Sequence, residues 1–362
     1  MKYALIILII LHGLIHLMGF AKAFQLAELS QLKKPISKLM GVIWLLSAIL
    51  LVFGGVSYIL EYSYAWLLSG SGLVLSQVLV LRSWSDAKIG TVANVILLPF
   101  ILTSFGVWNF EREVELRVKD LIPLNYQEEL LNDSSLRALP SLVQLWLHNS
   151  GISDQPMTYY AKLWQSGEMK SSPEGEWTPF TAVHWTSMPN PGFVWHARME
   201  AGPGMHVGVM DQFLDGKGAM LVKLQSLITL NNVTGPEIDE GAMQRYLAEM
   251  VWTPSFVLSP YIQWEQLDNV RIKVSMNYHG INASVIYTFN ARGMVKQIEA
   301  QRYYYQENGS NRETWVVTMD ESSYKSFNGI YVPARSTITW KLKEGDYTWF
   351  RMEISDIQFN SK

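Results

Sequence analysis

Seven histidines and no cysteine bound the chemistry open to this 362-residue chain. Without a thiol there is no cysteine nucleophile, redox pair, thiolate metal site or disulfide scaffold. His184, His196 and His206 fall on three neighbouring strand-like runs and could in principle converge on a metal. In the alternation, however, His196 shares a face with Arg198 and Glu200, which reads as solvated. Three independent surface or half-buried histidines are the better account, so neither a metal nor another cofactor is expected. Among the carboxylates, Asp211 and Asp215 flank a hairpin, and Asp215-Gly216 is explained by turn chemistry. Glu237, Asp239 and Glu240 are explained by the positive end of a helix. Arg245 and Glu249, one helical turn apart, read as a surface ion pair of little energetic weight. A pair formed by Asp239 with Asp211 is the remaining carboxylate arrangement. The exported part has no Gly-x-Ser-x-Gly elbow, and no His-Glu-x-x-His, phosphate loop or dinucleotide fingerprint is present. No catalytic residue is assigned.

His12 and His16 stand four residues apart, on one face of a very apolar helix. Ionisable groups inside a membrane are functional hypotheses by default. A haem or metal would need further ligands, and the other apolar segments carry no His, Asp or Glu in their interiors. A neutral imidazole pair hydrogen-bonding across a helix bundle is therefore expected.

Aromatic side chains are the other resource. Ten of the 14 tryptophans lie beyond residue 111, enough to fill a core or to line a cavity. Trp185, Phe193, Trp195, Tyr287, Phe289 and Trp340 are the candidates for such a lining.

The elements that must position these residues divide into two classes. A bilayer core about 30 Å thick needs roughly 20 apolar residues in helix. Tyr3–Phe20, Leu39–Leu60, Ala65–Leu81 and Ile89–Phe110 meet that demand with no Lys, Arg, Asp or Glu in their interiors. The first resembles a signal peptide, since Ala21-Lys22-Ala23 imitates a cleavage site, but its apolar run is too long and three more spans follow, so it reads as retained. Lys22, Lys33, Lys34 and Lys38 occupy the first loop, Arg82 and Lys88 the third, and the loop around Glu61 has no basic residue. The positive-inside rule then places both termini outside a bacterial inner membrane, with the acidic C-terminal part extracytoplasmic. Gly54-Gly55 and Gly70-Ser71-Gly72 would let helices approach closely, and Pro99 would kink the fourth span. A net charge of −3 argues against a nucleic-acid partner.

Beyond the spans, residues 111–122 form a mixed-charge stalk that fits helix or extended chain, and 123–147 read as helical with Asp133 a candidate N-cap. Period-two alternation follows, in 193–200, 270–278 and 335–342, broken by Asp215-Gly216, Arg292-Gly293, Asn308-Gly309, Asn328-Gly329 and Glu344-Gly345-Asp346. About seven strands joined in order are predicted between 261 and 360. One helix, 236–251, starts at Pro236 and carries Ile238, Ala242, Met243, Leu247, Met250 and Val251 as an apolar stripe. Three regions are expected: a four-helix transmembrane domain over 1–110, a stalk and linker helix over 111–135, and a β-rich domain over 136–362.

Several motifs in order carry a resemblance: Leu139-Pro140 through Leu147, Gly175 to Ala182, Pro191 to Trp195, Asp211 to Gly216, Gly235 to Asp239 and Arg245 to Glu249. Over about residues 136–360 the chain resembles a bacterial domain family of unknown function often found behind membrane helices. That family is in turn similar in architecture to the lipoprotein carriers LolA and LolB. The resemblance implies an α+β domain: a strongly curved antiparallel half-barrel with helices covering its apolar side. It supplies no catalytic residues.

The reading reached is a membrane-anchored protein that binds a lipid or other apolar small molecule in the curved sheet. Ile238, Met243 and Leu247 mark helix 236–251 as a gate over it. The alternatives are a hydrolase-like enzyme using Asp, Glu and His, or a scaffold or envelope sensor with a filled core. No protein partner is identified.

Overall fold

Where the sequence is apolar for 20 residues, backbone groups can be satisfied only within the segment, and helices result. The computed structural model, which describes residues 2–122, 133–306 and 309–360, has them as α1 (Lys2–Ala23), α2 (Lys38–Ile59), α3 (Ala65–Arg82) and, after the single turn α4 (Trp84–Ala87), α5 (Gly90–Leu121). All but α4 are long and apolar enough to cross a membrane. The last is longer than its apolar run predicts, so residues 111–121 are helical rather than extended. Ile7, Phe53, Val74 and Val95 are exposed on the outsides of these helices, as lipid-facing residues would be. Inside, a Cβ on Gly54 would lie 2.2 Å from Ser69 Oγ, and one on Gly72 2.8 Å from Leu51 Cγ, so both contacts require glycine. His12 Nε2 lies 2.9 Å from Asn94 Oδ1 on α5 and 3.0 Å from Ser76 Oγ on α3. His16 Nδ1 donates to the His12 carbonyl at 2.8 Å. Among the described residues no three His, Asp or Glu side chains gather as metal ligands.

The chain divides into two compact units: residues 1–112 with 225–228, and residues 113–224 with 229–362. In the second, two helices precede the strands, α6 (Asp133–Arg137) and α7 (Ser141–Asn149), separated at Pro140. Residues 123–132 of the expected helical stretch lie outside the described residues.

Thirteen strands make one antiparallel sheet, curled into a half-barrel. A first arm runs outward in sequence order: β1 (Tyr160–Met169), β2 (Thr178–Ser187), β3 (Gly192–Glu200), β4 (His206–Leu214), β5 (Lys217–Leu224) and β6 (Ile228–Thr234). The second begins at its far edge with β7 (Ile262–Gln266), then β8 (Arg271–Tyr278), β9 (Ile281–Phe289), β10 (Val295–Gln306) and β11 (Gly309–Met319). It skips a separate small hairpin, β12 (Tyr324–Phe327) with β13 (Ile330–Pro333), and closes with β14 (Arg335–Leu342) and β15 (Gly345–Phe359). β15 pairs with β1 from Ala161↔Phe359 to Met169↔Phe350, joining the arms. The main sheet therefore takes seven strands from the C-terminal hundred residues, in meander order as their turn signals predict. Asp215 and Gly216 have φ of 48° and 75°, as the two-residue turn requires. Asn308 of the Asn308-Gly309 signal lies outside the described residues. The His279-Gly280 turn, with φ of 51° and 79°, was not foreseen.

α8 (Pro236–Glu249) occupies the inside of the curl and touches β3, β4 and β5 of one arm and β8, β9 and β10 of the other. None of its residues after Pro236 is exposed. Hydrogen bonds tie it to both sides. Asp239 accepts from the Gly218 N–H at 2.8 Å, and the Tyr246 hydroxyl donates to the Ser187 carbonyl at 3.0 Å. Opposite, Gln244 donates to the Gln301 carbonyl at 3.0 Å, Tyr287 donates to the Leu247 carbonyl at 2.7 Å, and Arg312 grips Glu240. The helix expected to gate the sheet is tied to both arms by these bonds.

If Asp239 anchors α8, Asp239→Ala leaves the buried Gly218 N–H without its acceptor. Hydrogen bonds to a charged group contribute about 1.5–3 kcal/mol, so a loss of about 2 kcal/mol is expected in denaturant unfolding of the full chain. Lys217, exposed at its own end, should contribute little, and Lys217→Ala should change stability by less than about 1 kcal/mol.

Candidate functional site

Register places the site. Four cross-strand pairs run in line through the first arm: Leu163↔His184, His184↔Trp195, Trp195↔Asp211 and Asp211↔Met220. Because cross-strand partners share a face, the two polar residues His184 and Asp211 point inward with Trp195, in phase with Phe180, Phe193, Val209 and Phe213. From α8, Arg245 and Glu249 meet this row. Arg245 Nη1 donates to Asp211 Oδ2 at 2.6 Å, and its Nε donates to Glu249 Oε1 at 2.8 Å. The guanidinium is braced by the Phe193 and Trp195 rings, at 4.8 and 5.1 Å from their centroids. Trp195 is fixed in turn by its indole N–H, which donates to Gln165 Oε1 at 2.8 Å.

A cavity of about 270 Å³ lies against this cluster. Its floor is aromatic and aliphatic, with Trp195, Trp315, Trp340, Trp349, Phe350 and Met352 from the sheet facing Ile238, Ala242 and Ala248 of α8. Asp211, Arg245, Glu249 and Arg302 complete it, with Glu237 and Tyr305 also on the lining. Ligand pockets typically span about 300–1,000 Å³. This one suits a single chain or ring system and is too small for a whole diacyl lipid.

Burial dominates the electrostatics. It raises the Asp211 and Glu249 carboxyls above their ordinary range, against the opposing pull of Arg245. Burial acts downward on Arg245, but Glu249 and Asp211 together hold it above the usual arginine value. His184 lies 3.3 Å from Glu249 Oε2, yet burial, reinforced by Arg245, lowers its pKa well below the ordinary value. The ring is therefore neutral at pH 7, and the contact is not an ion pair. Arg302 is brought down by burial to about 10 and stays charged.

The sequence-derived lining residues separate. Trp195 and Trp340 lie on the cavity wall. Phe193 is buried in the core beside Arg245, and Tyr287 and Phe289 are buried against Trp146 of α7. Trp185 is half-buried on the opposite face of β2, its ring 5.6 Å from Lys162 Nζ, because odd-numbered positions of that strand point away from His184. On α8, Ile238 lines the cavity, whereas Met243 and Leu247 are fully buried in the core on another side of the helix. Two expectations need correction. Arg245 and Glu249 are not a surface pair but part of the buried cluster, because α8 is enclosed on nearly every side. His184 and His206 are buried rather than surface histidines. Asp239 and Asp211 do not meet as a pair, since Asp239 is committed to β5.

Residues 137–359 match a family described as a family of unknown function (DUF6920). No curated protein matches the chain. Among solved structures, the chain is similar to a domain from Vibrio parahaemolyticus assigned to outer membrane lipoprotein sorting, at 10% identity and a TM-score of 0.32, over 56% of this chain and 86% of that one. It is also similar to a DUF1329 family protein from Desulfovibrio piger, at 8% identity and a TM-score of 0.35, over 62% and 93%. A beta-barrel-like DUF1849 protein from Brucella abortus aligns at 7% identity and a TM-score of 0.20, over 57% and 99%.

Removing one member of a buried charge cluster costs about 3–5 kcal/mol, because the others lose compensation. Arg245→Met should therefore destabilise the full chain by that order. Adding Asp211→Asn and Glu249→Gln to it should recover most of the loss. In Arg245→Met the two carboxyls rise further above their unfolded values, so the folded state binds more protons than the unfolded one between those values. Its deficit should shrink as pH falls through that window. A deficit constant from pH 8 to pH 5 in thermal melts would contradict the cluster.

Proposed function

The chain belongs to the DUF6920 family, and from that premise we propose that its second unit binds a lipid-derived or other apolar small molecule within the curled sheet. The observation that carries this reading is the aromatic-lined cavity of about 270 Å³ beside α8. Removing apolar area from water, at about 25 cal/mol per Å², supplies the drive for such binding. Trp315, Trp340, Trp349 and Phe350 offer that area.

The four apolar helices support residence in a membrane. In this proposal they cross the bacterial cytoplasmic membrane with Lys22, Lys33, Lys34, Lys38, Arg82 and Lys88 inside, and both termini and the sheet unit outside.

A hydrolase-like activity is favoured by one feature, the neutral His184 next to the Glu249 carboxyl. Against it, Asp211 is held by Arg245, and Glu249 is held by the same guanidinium through Oε1 with Oε2 turned to His184. Binding is the reading the geometry supports better.

A neutral photoactivatable alkyl probe tests the cavity. Irradiated with the full chain, it should label peptides of β11 and β14, and Ile338→Trp, which grows a ring into the void, should reduce that labelling about tenfold while the fold persists by circular dichroism. Labelling confined to the apolar helices would dismiss the reading. Topology is tested independently, since the chain has no native cysteine. In intact spheroplasts a membrane-impermeant maleimide should modify Glu61→Cys and Asp346→Cys, and Glu28→Cys only after permeabilisation. The reverse pattern would invert the orientation.

A further inference from the structure

Two arginines reach this cavity, and they are not equivalent. Arg245 donates to Asp211 and to Glu249. The side chain of Arg302, on β10, makes no hydrogen bond and no ion pair to any described residue; its guanidinium lies 4.5 Å from the Trp315 ring centroid. An arginine carries five N–H donors, and leaving them without acceptors in an apolar enclosure is costly unless something else supplies the acceptors.

The opposite wall is shaped to admit this group. Gly241 sits in the middle of α8, where glycine costs about 1 kcal/mol relative to alanine. A Cβ built there would stand 3.1 Å from Arg302 Nη2 and 3.6 Å from its Nε. The helix thus gives up propensity at the position where a side chain would crowd the guanidinium. The aromatic ring on one side and the bare helix turn on the other hold a planar fork in place within a cavity that is otherwise mostly apolar.

We infer that Arg302 recognises the head of the ligand: a carboxylate or phosphate monoester carried on an apolar body small enough for the cavity. This rests on the cavity reading above and adds to it the class of molecule bound. The guanidinium fork matches the two oxygens of such a head, a geometry in which charge-assisted hydrogen bonds are strong. The competing role for Arg302 is that of a counter-charge to Asp211 and Glu249. Both carboxylates attract it electrostatically, but neither is hydrogen-bonded to it, and both accept from Arg245.

The test uses the full chain in phosphatidylcholine nanodiscs with three diazirine probes of one alkyl length, bearing a carboxylate, a phosphate monoester or a methyl ester. Cross-linked peptides of β11 and β14 are quantified by mass spectrometry. At least one acidic probe should label them about tenfold more than the ester, the effect of losing a charge-assisted hydrogen bond. The comparison of carboxylate with phosphate identifies the head, and preference for either supports the inference. In Arg302→Gln the acid-to-ester ratio should fall toward one with ester labelling retained. Should that variant not fold, Arg302→Lys, which keeps the charge and loses the fork, and Gly241→Ala, which crowds it, should each lower the ratio several-fold. Equal labelling by acid and ester in the unaltered chain, or a ratio that Arg302→Gln leaves unchanged, overturns the assignment of Arg302 and leaves the cavity standing. No cavity labelling by any probe removes the cavity reading, and this inference with it.

Discussion

The sheet unit depends on one constraint: a helix with five charged side chains is enclosed by a sheet that shuts it from water. Buried polar groups without partners are expensive, so each polar residue of α8 needs an answering group on a strand. Asp239 is met by the Gly218 amide, Gln244 by the Gln301 carbonyl, Glu240 by Arg312, and Glu237 by the Ser310 hydroxyl. Those partners come from β5 on one arm and from β10 and β11 on the other. A flat sheet could not offer both, and the curl is therefore coupled to the sequence of the helix it surrounds. The Tyr246 and Tyr287 hydroxyls, each spent on a main-chain carbonyl, add two cross-ties in the same sense.

The same enclosure explains why a cavity remains. Small residues on one side of α8, Gly241, Ala242 and Ala248, face large rings on β11, β14 and β15 without filling the space between them. A protein selected only for stability would close such a gap, since lost dispersion and burial are costly. It would also have little use for the Asp211–Arg245–Glu249 cluster, because apolar residues of like volume commonly serve as well or better than a buried ion triad. Void and cluster share one wall.

How much of this was legible in the sequence differs from residue to residue. The four long apolar helices were plain because uninterrupted apolar length has few other causes, and the C-terminal meander was plain because most of its turns carry glycine at positive φ. Trp195 could be placed inward because Phe193, Ala197 and Met199 share its phase. Trp185 could not be, since β2 sets apolar residues on both faces, Ala182 and Phe180 on one, Val183 and Trp185 on the other. Asp211 and His184 were in phase with buried neighbours all along, with Val209 and Phe213 in one strand and Phe180 and Ala182 in the other. Each was discounted singly as a turn flank or a surface histidine. What the chain order withheld was the register that sets His184, Trp195 and Asp211 side by side, and the enclosure of α8 that brings Arg245 and Glu249 inside. Arg302 gave no sign by itself, for a lone arginine in a run of tyrosines reads as the wet face of a strand.

The helical unit obeys the same rule among its own apolar side chains. In hydrocarbon, as in a protein core, a polar side chain must find its partner within the fold, and His12 finds Asn94 and Ser76 on two other helices. Asn94 then donates to Gln77, which reaches Thr91, so the network closes among five neutral residues from three helices. Neutrality is what makes it sustainable there: Asn, Ser, Thr and Gln can each give and accept without ionising, whereas a carboxylate in that place would bring a desolvation cost the bundle has no cation to offset. In the sheet unit the choice is the opposite. Charge is admitted to the interior, where Arg245 and Arg302 stand against Asp211 and Glu249.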